Sequence, residues 1–82
     1  MIEDVRRILK HALQLGSEAD SFRESTQLLG AIPELDSMAV VNVVTMIEEE
    51  FGVAVEDDEL SADIFETLGS LTAFVDRKLR EG

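Results

Sequence analysis

The 82-residue sequence has no cysteine, so disulfides and thiolate chemistry on the protein itself are excluded. It has one histidine, His11, and no calcium-loop spacing, so a metal centre is not expected. The carboxylates Glu48, Glu49, Glu50, Glu56, Asp57, Asp58 and Glu59 read as a solvated acidic face rather than a set of oxygen ligands. No apolar run approaches the roughly 20 residues that span a bilayer, and a soluble domain without membrane insertion is expected. The start, Met1-Ile2-Glu3-Asp4, lacks the basic and apolar regions of a secretory signal, which makes the cytoplasm the expected compartment. Lys and Arg are absent from residue 24 to residue 76, and the net charge is -11. Such an anionic middle repels nucleic acid and anionic lipid, and it speeds encounter with partners that present basic patches.

What is present fits one small domain, residues 1–82, which buries only about 60 to 65% of the unfolded chain's surface and leaves little room for an enclosed active site. Val5, Ile8, Leu9, Ala12 and Leu13 recur at helical spacing, predicting an amphipathic helix over residues 2–15 that Gly16 terminates. From Ser17 to Asp36 the periodicity breaks, and Phe22, Leu28, Leu29, Ile32 and Leu35 are expected to pin this long loop across the bundle. A second helix begins at Asp36-Ser37 and runs to Phe51, with Val40, Val44, Ile47 and Phe51 facing the core. Asp36 caps its start and Gly52 ends it. Val53-Ala54-Val55 reads as an extended connector and Asp57–Leu60 as an acidic loop. Ser61 caps a single turn through Phe65, and Thr67 caps a last helix with Leu68, Leu71, Val75 and Leu79 inward. The expected fold is all-α: a small four-helix bundle of three main helices and one short helical turn, with a long loop between the first two.

Ser37, Asp36 and His11 are the residue types of a hydrolase triad, but their context argues against catalysis. A nucleophile elbow needs a glycine-flanked strand-to-helix turn, and Ser37 sits between Asp36 and Met38 with no strand before it. The informative junction is Leu35-Asp36-Ser37-Met38, where a serine in the first turn of a helix is exposed at the positive end of the dipole. A phosphodiester on its oxygen is favoured there by about 0.3 to 1 kcal/mol, although Asp36 opposes that charge. Taken alone, Asp36-Ser37 reads first as an ordinary helix start.

Together with the residues on either side of it, the junction resembles the acyl carrier protein family. The resemblance runs in order over residues 28–79. It comprises Leu35-Asp36-Ser37-Met38, the apolar helix, Glu48-Glu49-Glu50-Phe51-Gly52-Val53, the acidic loop and Phe65-Glu66-Thr67-Leu68-Gly69-Ser70-Leu71. The family's aspartate-serine-leucine triplet has Met38 in place of leucine, a swap of similar volume. The resemblance implies that a phosphopantetheinyl transferase attaches 4'-phosphopantetheine from coenzyme A to Ser37, flanked by Asp36 and Met38. An acyl group is then carried as a thioester on the arm's thiol. It implies a carrier rather than an enzyme, acting as a monomer with acyl-loading and acyl-transfer enzymes that bear basic docking patches. Members that serve fatty acid synthesis have further acidic residues early in the second helix, where this chain has Ala39 and Asn42. Met38, Val41 and Asn42 are then the outward positions for partner contact, with Glu48 and Glu49 supplying steering charge. The stretch from Leu28 to Met38 is similar to carriers that accompany exosortase and exopolysaccharide systems. An aminoacyl or peptidyl carrier on the same serine, and an unmodified acidic interaction module, are the alternatives.

Overall fold

In a computed structural model, which describes residues 1–81, helix α1 spans Ile2–Ala12, α2 Ser37–Phe51 and α3 Leu68–Glu81. Short 3-10 turns occupy Ser17–Ser21, Asp57–Glu59 and Ala62–Phe65, the last being the fourth segment of the expected bundle. The capping turn at Ala62–Phe65 follows Ser61, but the Ser61 side chain makes no capping bond. The expected acidic loop also contains structure. Glu56 and Glu59 form a reciprocal capping box around the Asp57–Glu59 turn, so adjacent carboxylates are organised by backbone N–H groups.

Helix α1 ends earlier than its apolar pattern predicts. Leu13 is the C-cap, and Gln14 rather than Gly16 takes the left-handed conformation, at φ 55°. The Leu15 N–H then donates to the Lys10 carbonyl at 2.9 Å and the Gln14 N–H to the His11 carbonyl at 3.3 Å, the paired bonds of a Schellman ending. Gly16 instead leads into the Ser17–Ser21 turn, which interrupts a span the sequence suggests is irregular. Helix α2 keeps its predicted bounds. The Ala39 N–H donates to Asp36 Oδ1 at 2.8 Å, and Gly52 closes the helix in the left-handed region at φ 67°.

The core lies where α1 packs on α2 and α3. Val5, Ile8, Leu9, Leu28, Val43, Ile47, Leu68, Leu71 and Val75 are almost fully buried, each worth about 1.5 to 3 kcal/mol of transfer free energy. On α2 the inward face is Ala39, Val43, Val44 and Ile47, while Val40 and Phe51 are only partly buried against it. On α3 Phe74 is buried and Leu79 is outward, because Lys78 turns its stem inward and its ammonium meets Glu59 Oε1 at 2.8 Å. The hydrogen bond and charge of Lys78 hold the Glu59 carboxyl below its ordinary pKa, and Glu59 holds Lys78 above its own.

The long loop has a structural task that no side chain announces. Its Thr26 carbonyl accepts from the Leu68 N–H at 3.0 Å and its Glu24 carbonyl from the Gly69 N–H at 2.8 Å, so the loop backbone caps α3. Thr67 and Ser70 complete that start by donating backbone N–H groups to each other's hydroxyls, both at 3.0 Å. The loop is fastened on its other side by Leu28 and Leu29, whose N–H groups donate to the Glu66 and Phe65 carbonyls at 2.9 Å. Leu28 and Leu35 are buried as expected, and Phe22 and Ile32 are partly so. Leu29 is 42% exposed and holds the loop through its backbone N–H rather than through burial of its side chain.

Candidate functional site

Ser37 is the first residue of α2 and is exposed, as are Asp36 and Met38. Its position comes from local chemistry. Asp36 has extended backbone angles and turns its carboxylate onto the Ala39 N–H, while its carbonyl accepts from the Val40 N–H at 2.9 Å. Those two bonds account for the third and fourth N–H groups of the helix and leave those of Ser37 and Met38 open to solvent. At the head of α3, by contrast, loop carbonyls occupy the first two. Leu35, buried immediately before, anchors the approach.

An outward stripe runs down α2 from this point: Met38, Val41, Asn42, Thr45 and Glu49 are all exposed, at three- and four-residue intervals. Met38 and Val41 expose 77% and 60% of their surfaces, large values for apolar side chains. Glu48 leaves the stripe. It is half-buried, and its carboxylate accepts the Val55 N–H at 2.8 Å, which fastens the connector to α2. Glu50 is engaged as well, by Arg7 at 2.6 Å. Of the three glutamates only Glu49 is exposed without a hydrogen bond or ion pair. His11 is exposed on α1 and lines a surface with Arg7, Lys10, Gln14 and Leu15 that includes neither Asp36 nor Ser37.

Beside the start of α2, Leu29, Val40, Leu60, Ser61, Ala62 and Phe65 line an open apolar groove of about 240 Å³. Val40 stands one turn after Ser37 on the same helix face. The sequence pattern assigns Val40 to the core and Leu29 to a loop anchor, and it does not disclose this groove. Its only signal is that Leu29 and Leu60 are apolar residues in loops.

The sequence model of the phosphopantetheine attachment site family matches residues 3–75, a span that contains all of α2 and its approach. The chain belongs to that family. The solution NMR structure of a holo acyl carrier protein from Nitrosomonas europaea is similar to it at 57% identity. That alignment covers 96% of this chain and 95% of that one, with a TM-score of 0.89. The fold is accordingly the small helical bundle of acyl carrier proteins, and 4'-phosphopantetheine is its covalent cofactor. Members of this family are carriers, and the protein is a carrier and not an enzyme. No helix among the described residues is long and apolar enough to cross a membrane.

Proposed function

We propose that Ser37 is the attachment residue, and that the protein carries an acyl group on its phosphopantetheine arm and presents it to partner enzymes. The observation that carries this reading is an exposed serine at the first position of α2, directly behind the capping Asp36 and inside the matched span. The residues fit the group. A hydroxyl in solvent is open to a transferase, and the open N–H groups of Ser37 and Met38 favour a phosphodiester by about 0.3 to 1 kcal/mol. When bound, the arm supplies the thiol that the chain itself lacks, on which cargo is held as a thioester. Asp36 fixes the geometry of the turn through the Ala39 N–H, and the groove between Leu29, Val40 and Phe65 offers apolar surface within one helical turn of Ser37.

Partners are the phosphopantetheinyl transferase and acyl-handling enzymes. They dock along Met38, Val41 and Asn42, with Glu49 as the steering charge and with basic side chains on the partner's rim. Glu48, committed to Val55, contributes by holding the connector rather than by touching the partner. We place the protein in the cytoplasm as a monomer. Likeness at 57% identity to an acyl carrier favours acyl over aminoacyl cargo.

The test is intact-mass measurement after incubation with coenzyme A and a broad-specificity transferase. The natural sequence gains one phosphopantetheine, and Ser37→Ala gains none while keeping its helical circular dichroism. Replacement of Ser17, Ser21, Ser25, Ser61 or Ser70 leaves the gain intact. A Ser37→Ala protein that still acquires the mass refutes the assignment.

A further inference from the structure

Methionine is the one large apolar side chain that a single oxygen transfer makes polar, and methionine sulfoxide reductases reverse that change. The chain has three methionines and the fold treats them differently. Met46 is half-buried against the core, and Met1 is 44% exposed beside Ile2, Thr72 and Ala73. Met38 is 77% exposed, more than any other large apolar side chain among the described residues, and it directly follows Ser37. One turn along, Val41 extends the same apolar surface.

We propose that Met38 is a reversible oxidation site, and that its sulfoxide weakens docking at the head of α2 without disturbing the fold. This rests on the reading of that face as the docking surface. With hydrogen peroxide as oxidant, the Met38 Sδ attacks one peroxide oxygen. The S–O bond forms, the O–O bond breaks, sulfur is oxidised by two electrons and water leaves. In the free protein the product is harmless. The side chain stands in solvent outside the core, and the cap that starts α2 runs from Asp36 to Ala39 without using it. In a docked complex the sulfoxide oxygen is desolvated against apolar partner surface, and an unpaired acceptor there lowers affinity by about tenfold or more. Leucine at this position gives similar apolar contact and no such response.

The test begins with the apo chain exposed to dilute hydrogen peroxide, then desalted and mapped by peptide mass spectrometry. Met38 gains one oxygen first, about tenfold faster than Met46. Transfer of phosphopantetheine from coenzyme A by the transferase then falls about tenfold in kcat/KM. The circular dichroism melt is unchanged, and treatment with the two sulfoxide reductases restores the rate. Each variant is compared with itself before and after peroxide. Met38→Leu, whatever its own rate, keeps that rate after treatment. Equal loss in Met38→Leu, or prior oxidation at Met1 or Met46, overturns the proposal. Met38→Gln, which places a permanent polar group at the site, separates two failures. If it loads slowly while the sulfoxide loads normally, the switch is wrong and the docking face stands. If both load normally, the docking face itself is wrong.

Discussion

Replacing Gly69 by alanine sets two physical effects against each other, and their sum has a sign. Considered as a helix residue, Gly69→Ala stabilises α3 by up to about 1 kcal/mol, since glycine is a poor helix former. In the fold the added Cβ meets the Glu24 carbonyl oxygen at 2.9 Å and the Glu24 Cβ at 3.3 Å. The first contact is with backbone, which moves only if the loop lifts from α3. Lifting stretches the bonds from Gly69 to Glu24 and from Leu68 to Thr26, worth about 0.5 to 1.5 kcal/mol each. Overpacking strain adds about 1 to 3 kcal/mol. Even at the low end of these ranges the opposing terms leave a net loss of about 1 kcal/mol, which for a domain of this size lowers Tm by at least about 4 °C. Urea unfolding followed by circular dichroism measures it, with an unchanged slope and an earlier midpoint. Hydrogen exchange of the Leu68 amide should accelerate in the variant. A Gly69→Ala protein as stable as the natural one, or more so, would refute capping by the loop.

Val41→Glu should slow loading by the transferase about tenfold while the melt stays within the small shifts of a surface change. Val44→Asp, a buried position, should unfold the domain; kinetics and circular dichroism on both variants give the comparison. Gln14→Gly should raise stability by about 1 kcal/mol by relieving the positive φ, read as a later urea midpoint. The Glu59–Lys78 pair predicts a pH window. Because the folded Glu59 pKa is depressed below 4.5, its stabilisation is complete above that value and is lost as pH falls through the folded pKa. Because the folded Lys78 pKa is raised above 10.5, its share is complete below that value and is lost as pH rises through the folded one. Lys78→Met should therefore differ from the natural protein in stability at pH 7 and converge with it in acid. A difference that persists unchanged at pH 2 would count against the pair.

The helix that carries Ser37 is legible because both of its ends are written in side chains, a capping carboxylate at Asp36 and a glycine at Gly52. The end of α1 is not, because the nearest glycine lies two residues beyond the actual left-handed position. A Gln in that conformation costs little beside the burial of Leu13 that it permits. The inward face of α2 is misphased by periodicity for a different reason. Met38, Ala39, Val40, Val41, Val43, Val44, Met46 and Ile47 are apolar around most of the circumference, so only the packing of α1 and the rest of the core decides which of them are covered. That ambiguity reaches the site itself, since it separates half-buried Val40 in the groove from exposed Val41 on the outward stripe. On α3 a lysine occupies the edge of the buried face, an arrangement that depends on Glu59 some 19 positions earlier and cannot be read from periodicity. Thr67, the cap read from the sequence, does accept the Ser70 N–H, but the loop's share of the cap on α3 is invisible because carbonyl oxygens have no residue identity; Gly69 in the first turn is the one trace of that share.

The ion pairs have a consequence for how the molecule turns in solution. Arg7 meets Glu50 near the C-terminal end of α2, and Lys78 lies in the surface formed with Phe51, Gly52 and Val53. That end of α2 stands about 20 Å from Ser37 along a helix of this length. Arg77 and Arg80 are likewise paired, with Glu81 and Asp76 of their own helix α3. Every Lys and Arg thus lies between residues 6 and 23 or between residues 77 and 80, on α1, in the turn and loop that follow it or on α3, whereas α2 carries Glu48, Glu49 and Glu50 and no basic side chain of its own. The excess negative charge therefore belongs to the segment that contains α2, and charge is unevenly distributed over the bundle. In the field of a basic enzyme such a distribution experiences a torque as well as an attraction, one that turns the α2 side toward the enzyme. Random tumbling samples productive orientations rarely, so this alignment shortens the rotational search before any side chain has touched.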